Sequence, residues 1–172
     1  MTTGTALLSH GLHSGPGATK VSRLAAVVRE AGWAAVSVDC AGVMDPAERV
    51  RRLRRAAEGA KRPLVLAGSS LGAWVSASAS AGLAPAALYL LAPAFYMPGL
   101  PEPDPAPAAR RTVMVHGRAD RVVPAAHALR YAGRHPAVLH LVEDGHRLSG
   151  SLDFISALFR PLLDEASRAD LG

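Results

Sequence analysis

Six short apolar runs, each bounded by breakers and separated from the next by helical periodicity or a proline-rich connection, constrain this chain more than any other feature. The runs fall at residues 5–9, 34–38, 64–67, 86–91, 112–116 and 138–142, and their length and β-branched content read as strands. Helical segments are expected over 19–31, stopped by Gly32; over 46–60, with Asp45 as N-cap and Pro46 at the first helical position; and over 71–81, with Gly82 as C-cap. A fourth begins at Pro124 and ends near Gly133, and a fifth spans 151–166, where Pro161 is placed to kink or divide it. Strands alternating with helices at this spacing demand right-handed crossovers and a sheet covered on both faces. The expected fold is therefore α/β: three layers, α/β/α, with a mostly parallel, doubly wound sheet of about six strands, formed by residues 1–172 as one domain. Ligands of such a sheet bind at the carboxyl ends of its strands.

At 172 residues, with 49% apolar and 19% charged residues, the chain has enough apolar material for one sizeable core and lies far from disordered compositions. Its longest apolar run, near 83–100, is broken by Pro85, Pro93 and Pro98, so no membrane span or signal peptide is readable. A lone Cys40 excludes a disulfide scaffold and points to a cytoplasmic setting. The net charge of +5 raises the question of an anionic partner. However, the densest basic cluster, Arg49, Arg51, Arg52, Arg54 and Arg55, surrounds an apolar stripe of Val50, Leu53 and Ala57 and reads as a solvated helix face. With aromatics at 5% and no basic–aromatic interleaving, nucleic acid is not an expected partner. The segment 93–110 carries six prolines and reads as a stiff connection between two strands of the same sheet.

Three expected strand ends carry reactive side chains. Gly68-Ser69-Ser70-Leu71-Gly72 lies between a strand and a helix, where a tight, strained turn lifts the Ser70 hydroxyl above the sheet and small flanking residues let strand and helix pass closely. Asp120 follows the run 112–116, and His146 follows 138–142, so both emerge at the same sheet edge as Ser70. A serine hydroxyl becomes a nucleophile when an imidazole takes its proton and a carboxylate fixes the imidazole's tautomer. Glu143 and Asp144 are rival acids, but they stand too close in sequence to His146 to reach its far ring nitrogen easily.

The glycine-rich stretch after the first strand, Ser9-His10-Gly11-Leu12-His13-Ser14-Gly15-Pro16-Gly17, is free to aim backbone N–H groups at the same edge. The N–H groups of Leu12 and Leu71 are the candidate donors to a developing oxyanion. The competing reading, a phosphate cradle, lacks G-x-G-x-x-G and the Lys-Ser/Thr ending of a P-loop. His10 is read as a structural support of this loop, His13 as a residue near enough to touch substrate, and Cys40 as a small buried or rim residue. Phe95, Tyr96 and Met97 are candidate walls of a substrate pocket, with a place in the core beneath the proline-rich loop as the alternative. No histidine or carboxylate cluster has metal-ligand spacing.

Taken together, His10-Gly11, the Gly68–Gly72 pentapeptide, His116-Gly-x-x-Asp120-x-x-Val-Pro124 and Gly145-His146 resemble a small α/β-hydrolase-fold serine esterase, with Ser, Asp and His in that family's chain order. The resemblance spans nearly the whole chain and is nearest to compact, lidless bacterial esterases. It implies hydrolysis of a small-molecule acyl ester or thioester through an acyl-serine, with no metal and no organic cofactor. Residues 5–9 then serve as the family's third strand, and the antiparallel opening strands and the helical cap of larger members are missing. The alternatives are a non-catalytic ligand- or protein-binding module on the same fold, and an acyltransferase using the same three residues. Oligomeric state is not legible.

Overall fold

Neighbouring residues of each apolar run face opposite sides of one sheet, which is why two separate apolar layers form. The computed structural model describes residues 2–168. Its strands are β1 (Thr5–Ser9), β2 (Ala34–Val38), β3 (Leu64–Ser69), β4 (Ala87–Leu91), β5 (Arg111–Gly117) and β6 (Val138–Val142). All five pairings are parallel, in the order β2-β1-β3-β4-β5-β6, so the sheet is wholly rather than mostly parallel. The helices are α1 (Thr19–Glu30), α2 (Pro46–Ala57), α3 (Leu71–Leu83), α4 (Ala125–Arg134) and α5 (Leu152–Arg168).

On one face Ala6, Leu8, Val65, Ala67, Tyr89 and Val115 pack against α1 and α5; on the other Leu7, Leu66, Leu88, Leu90 and Met114 pack against α2, α3 and α4. This is the doubly wound α/β/α arrangement expected from the alternation, reduced to its minimum and without a cap. Among the described residues no helix is long and apolar enough to cross a membrane.

Local chemistry sets the helix ends. The Asp45 carboxylate accepts the Ala47 N–H at 2.9 Å, and Pro46 opens α2. In α3 the helical backbone gives way at Ala81 and Gly82, where Gly82 takes φ +108°, so the expected stop at Gly82 falls inside the element rather than after it. Pro161 neither divides nor ends α5, which runs through it to Arg168.

The connection between β4 and β5 has no helix or strand and is tied down along its length. Trp74 Nε1 donates to the Glu102 carbonyl at 2.6 Å, the Tyr131 hydroxyl to the Pro105 carbonyl at 2.8 Å, and the Ala108 N–H to Ser80 Oγ at 2.9 Å.

The sheet order places the site. From β1 the chain first moves outward to β2, then returns to the other side of β1 to form β3, so the loops leaving β1 and β3 diverge and open a crevice between them. Ser9 pairs with Gly68 in register, which sets the glycine-rich loop beside Ser70.

Candidate active site

Ser70 occupies a strained turn. Its φ of +56° and ψ of −119° lie where L-residues rarely go, and its N–H is held by the Leu91 carbonyl at 2.9 Å. The flanking glycines are steric necessities. A Cβ on Gly68 would stand 2.2 Å from the Gly72 carbonyl oxygen, and one on Gly72 would stand 2.1 Å from that of Ser9. The close crossing of β1, β3 and α3 thus exists only because both positions lack side chains.

His146 lies between the other two residues read from the sequence. Its Nε2 is 3.1 Å from Ser70 Oγ and its Nδ1 2.7 Å from Asp120 Oδ2. The Asp120 carboxylate is wholly buried as a side chain, and its Oδ1 accepts the N–H groups of Val122 and Val123, each at 2.8 Å. A carboxylate held this way directs Nδ1–H of His146 toward itself and leaves Nε2 as the acceptor facing the serine. Behind it, buried His116 brings Nε2 to 3.2 Å from Asp120 Oδ2 and 2.9 Å from the Val123 carbonyl, while burial lowers its pKa.

Neither rival acid serves His146. Glu143 pairs with Arg118 at 3.1 Å, and Asp144 accepts from Gly145, Gly150 and Ser151, tying its own loop together. Burial works to raise the Asp144 pKa, but these hydrogen bonds outweigh it and the group lies below the usual carboxylate range.

The loop after β1 rests on Arg49, which the solvated-face reading misplaced. Arg51, Arg52 and Arg55 do gather around Glu48, but Arg49 is only 1% exposed. Its guanidinium donates to four carbonyls: Val43 at 2.7 Å, His10 and Gly11 at 3.2 Å each, and Leu12 at 3.0 Å. A planar fork of five donors suits such a cluster, and among the described residues Arg49 forms no ion pair, so its hydrogen-bond partners are carbonyls alone. The signal lay in spacing, since Arg49 sits one turn before buried Leu53 on the same helix face.

Buried His10 does support the loop. Its Nε2 accepts the Cys40 N–H at 3.0 Å, so Nδ1 carries the proton and donates to the Gly11 carbonyl at 2.8 Å. Burial lowers the His10 pKa, keeping the ring neutral, and raises that of the buried Cys40 thiol. Among the described residues, neither the Leu12 nor the Leu71 N–H has a protein acceptor.

A cavity of about 850 Å³ opens beside Ser70 and His146. Leu12, Met44, Leu71, Met97, Leu100 and Val122 supply its apolar lining, and exposed His13 stands at it. Of the three pocket-wall candidates only Met97 lines it. Phe95 is a correction: it is fully buried and stacks on Tyr131 at 3.8 Å between ring centroids, because the flat face of that tyrosine offers an apolar partner under the proline-rich loop. Tyr96 is corrected likewise, its ring turned aside beneath the Arg130 guanidinium at 4.1 Å.

Sequence reasoning also passed over Lys20 and Arg147. Lys20, in the first turn of α1, reaches the His146 carbonyl at 2.9 Å, and both residues line the cavity. Among the described residues no group of three or more histidines, cysteines or carboxylates is placed to hold a metal ion.

A parallel sheet with a serine on a strained turn after its third strand, backed by histidine and aspartate from later strand ends, defines a class of folds shared with known structures. A protein of the alpha/beta hydrolase superfamily from Xanthomonas campestris pv. campestris is 36% identical, with 95% of this chain and 99% of that one aligned at a TM-score of 0.86. The chain belongs to the α/β-hydrolase superfamily. A lidless serine hydrolase from Xanthomonas campestris shares the fold at 21% identity and TM-score 0.79, over 95% of this chain and 82% of that one. An alpha-beta serine hydrolase homologue from Coxiella burnetii does so at 22% and 0.78, over 93% and 85%. No family model matches the sequence, and no curated protein does.

Proposed function

We propose that the protein is a serine hydrolase that cleaves carboxylic esters or thioesters of small acyl substrates through an acyl-serine intermediate. The observation that carries this reading is the row Ser70 Oγ, His146 and Asp120, with separations of 3.1 and 2.7 Å, at the wall of an open cavity. In this mechanism His146 Nε2 takes the Ser70 proton as Oγ attacks the carbonyl carbon, and Asp120 stabilises the imidazolium that forms. The imidazolium then protonates the departing alcohol or thiol, and water repeats the cycle to release the acid.

The oxyanion meets the N–H groups of Leu12 and Leu71. In a trans peptide the C=O and N–H point in opposite directions. The Gly11 carbonyl is drawn toward Arg49, His10 and Ser14. The Leu12 N–H of that same peptide is thereby turned the other way, and Gly11 itself lies against Ser70.

The test is phosphonylation by a fluorophosphonate, followed by a hydrolysis screen over p-nitrophenyl and acyl-CoA substrates of graded length. Labelling confined to Ser70, with turnover highest for short acyl chains, is the expected result. A folded protein that neither labels nor hydrolyses any of them overturns the reading.

A further inference from the structure

The charges around the cavity are one-sided. Its lining includes Lys20, Arg147, His13 and His146 and, among the described residues, no aspartate or glutamate. The two carboxylates nearest to Lys20 are already occupied: Asp120 by the Val122 and Val123 N–H groups and by His146 and His116, Asp144 by Gly145, Gly150 and Ser151. Neither forms an ion pair with Lys20. Its ammonium carries three donors, only one of which is used, on the His146 carbonyl at 2.9 Å. Arg147, next in the chain and exposed, makes no hydrogen bond or ion pair among the described residues. The contrast with α2 is direct, since there Glu48 gathers Arg51, Arg52 and Arg55. Burial of the Lys20 ammonium costs desolvation that the charges of Asp120 and Asp144 offset only in part, since neither pairs with it, and an anion entering the cavity would offset more.

We infer that the substrate is an ester or thioester bearing an anionic group, a carboxylate or similar oxyanion, which Lys20 and Arg147 bind while Ser70 attacks the acyl carbonyl. This rests on the acyl-serine reading above. Lys20 is then a specificity residue as well as a tether of the His146 loop. Met44, Met97 and Leu100, lining the same cavity, offer apolar surface to the carbon chain of such a molecule.

The test compares p-nitrophenyl hydrogen adipate with p-nitrophenyl methyl adipate, which differ in charge and one methyl group. At low salt kcat/KM for the anion should exceed that for the neutral ester by about tenfold or more, a ratio that shrinks with added salt. Lys20→Met should collapse the ratio and Lys20→Arg should keep it; a purely tethering lysine would lower both rates alike and leave the ratio unmoved. A wild-type ratio of one or less, or equal ratios in wild type and Lys20→Met, overturns the inference.

A second arm needs no turnover. On Ser70→Ala protein, ligand-observed NMR should show monomethyl adipate binding about tenfold tighter than dimethyl adipate, with the difference lost when Lys20→Met is added. If neither ester is hydrolysed and Ser70 is not phosphonylated, the serine-hydrolase reading falls, while this arm still decides the charge preference. Equal binding of the two adipates overturns it.

Discussion

Arg49 Nη1 lies 3.2 Å from the carbonyl oxygen of Gly11, across 38 positions of sequence, and through that bond a buried cation sets the direction of a loop peptide beside Ser70. Removing it takes this donor from four carbonyls at once; Gly11 keeps His10 and Ser14, but those of Val43, His10 and Leu12 lose the bond, each costing on the order of 1 kcal/mol or more when left unpartnered. Arg49→Ala should therefore lower Tm and, with the Leu12 N–H no longer aimed, cut kcat about a hundredfold, the scale of losing one oxyanion donor. Millimolar guanidinium should restore part of kcat by refilling the vacated position. Full activity in Arg49→Ala would show that the loop holds its orientation unaided.

The strained backbone of Ser70 makes a separate prediction. Ser70→Ala and Ser70→Gly should both abolish turnover, but glycine tolerates φ +56° and alanine does not, so Ser70→Gly should be the more stable variant by about 1 kcal/mol. Thermal unfolding of the pair measures this. Equal stability would mean that the turn stores no strain.

Asp120 and Asp144 are distinguished by what they touch. Asp120→Asn should lower kcat by about four orders of magnitude, because an amide in place of the carboxylate favours the wrong tautomer of His146. Asp144→Asn weakens the bonds to Gly145, Gly150 and Ser151, so it should lower Tm while leaving kcat within about tenfold. The reverse order of damage would reassign the acid.

Stability should fall on mild acidification. Burial lowers the pKa of both His10, which also feels Arg49 and Asp39, and His116, which also feels Asp120, His146 and His127. Below the ordinary histidine pKa of about 6.5 the unfolded chain binds protons that these two rings in the folded chain resist. Stability is therefore lost as pH falls through that value, at up to about 1.4 kcal/mol per pH unit for each ring. Denaturant unfolding between pH 7 and pH 5 measures the slope, and a flat profile would contradict two neutral buried histidines.

The layered fold was legible because its signal is repeated: six apolar runs and five helices all carry the same periodicity message. Ser70, Asp120 and His146 were legible for a different reason, since each sits directly past a strand end, where chain position and spatial position coincide. Arg49 and Lys20 were not. Both stand on helices far in sequence from the loops they hold, Arg49 from residues 10–12 and Lys20 from His146, and a cation bonded to carbonyls leaves no pattern of opposite charge to read. Phe95 and Tyr96 failed similarly: the positive φ of Ala92 and Tyr96, which bends the chain after β4, is announced by no glycine at those positions.

The connection after β4, fastened by Trp74, Ser80 and Tyr131, has a consequence for how molecules come and go. Met97 and Leu100 lie between Tyr96, whose N–H donates to the Pro103 carbonyl at 3.0 Å, and the tie of Glu102 to Trp74, so one side of the cavity is a braced strut rather than a flap. Entry and departure then require no hinge, and the position of this wall is inherited from α3 and α4, which hold the connection. Tyr131, which touches no reacting group, holds part of that architecture, so a change there would widen or narrow the choice of guests while leaving the serine, histidine and aspartate where they are.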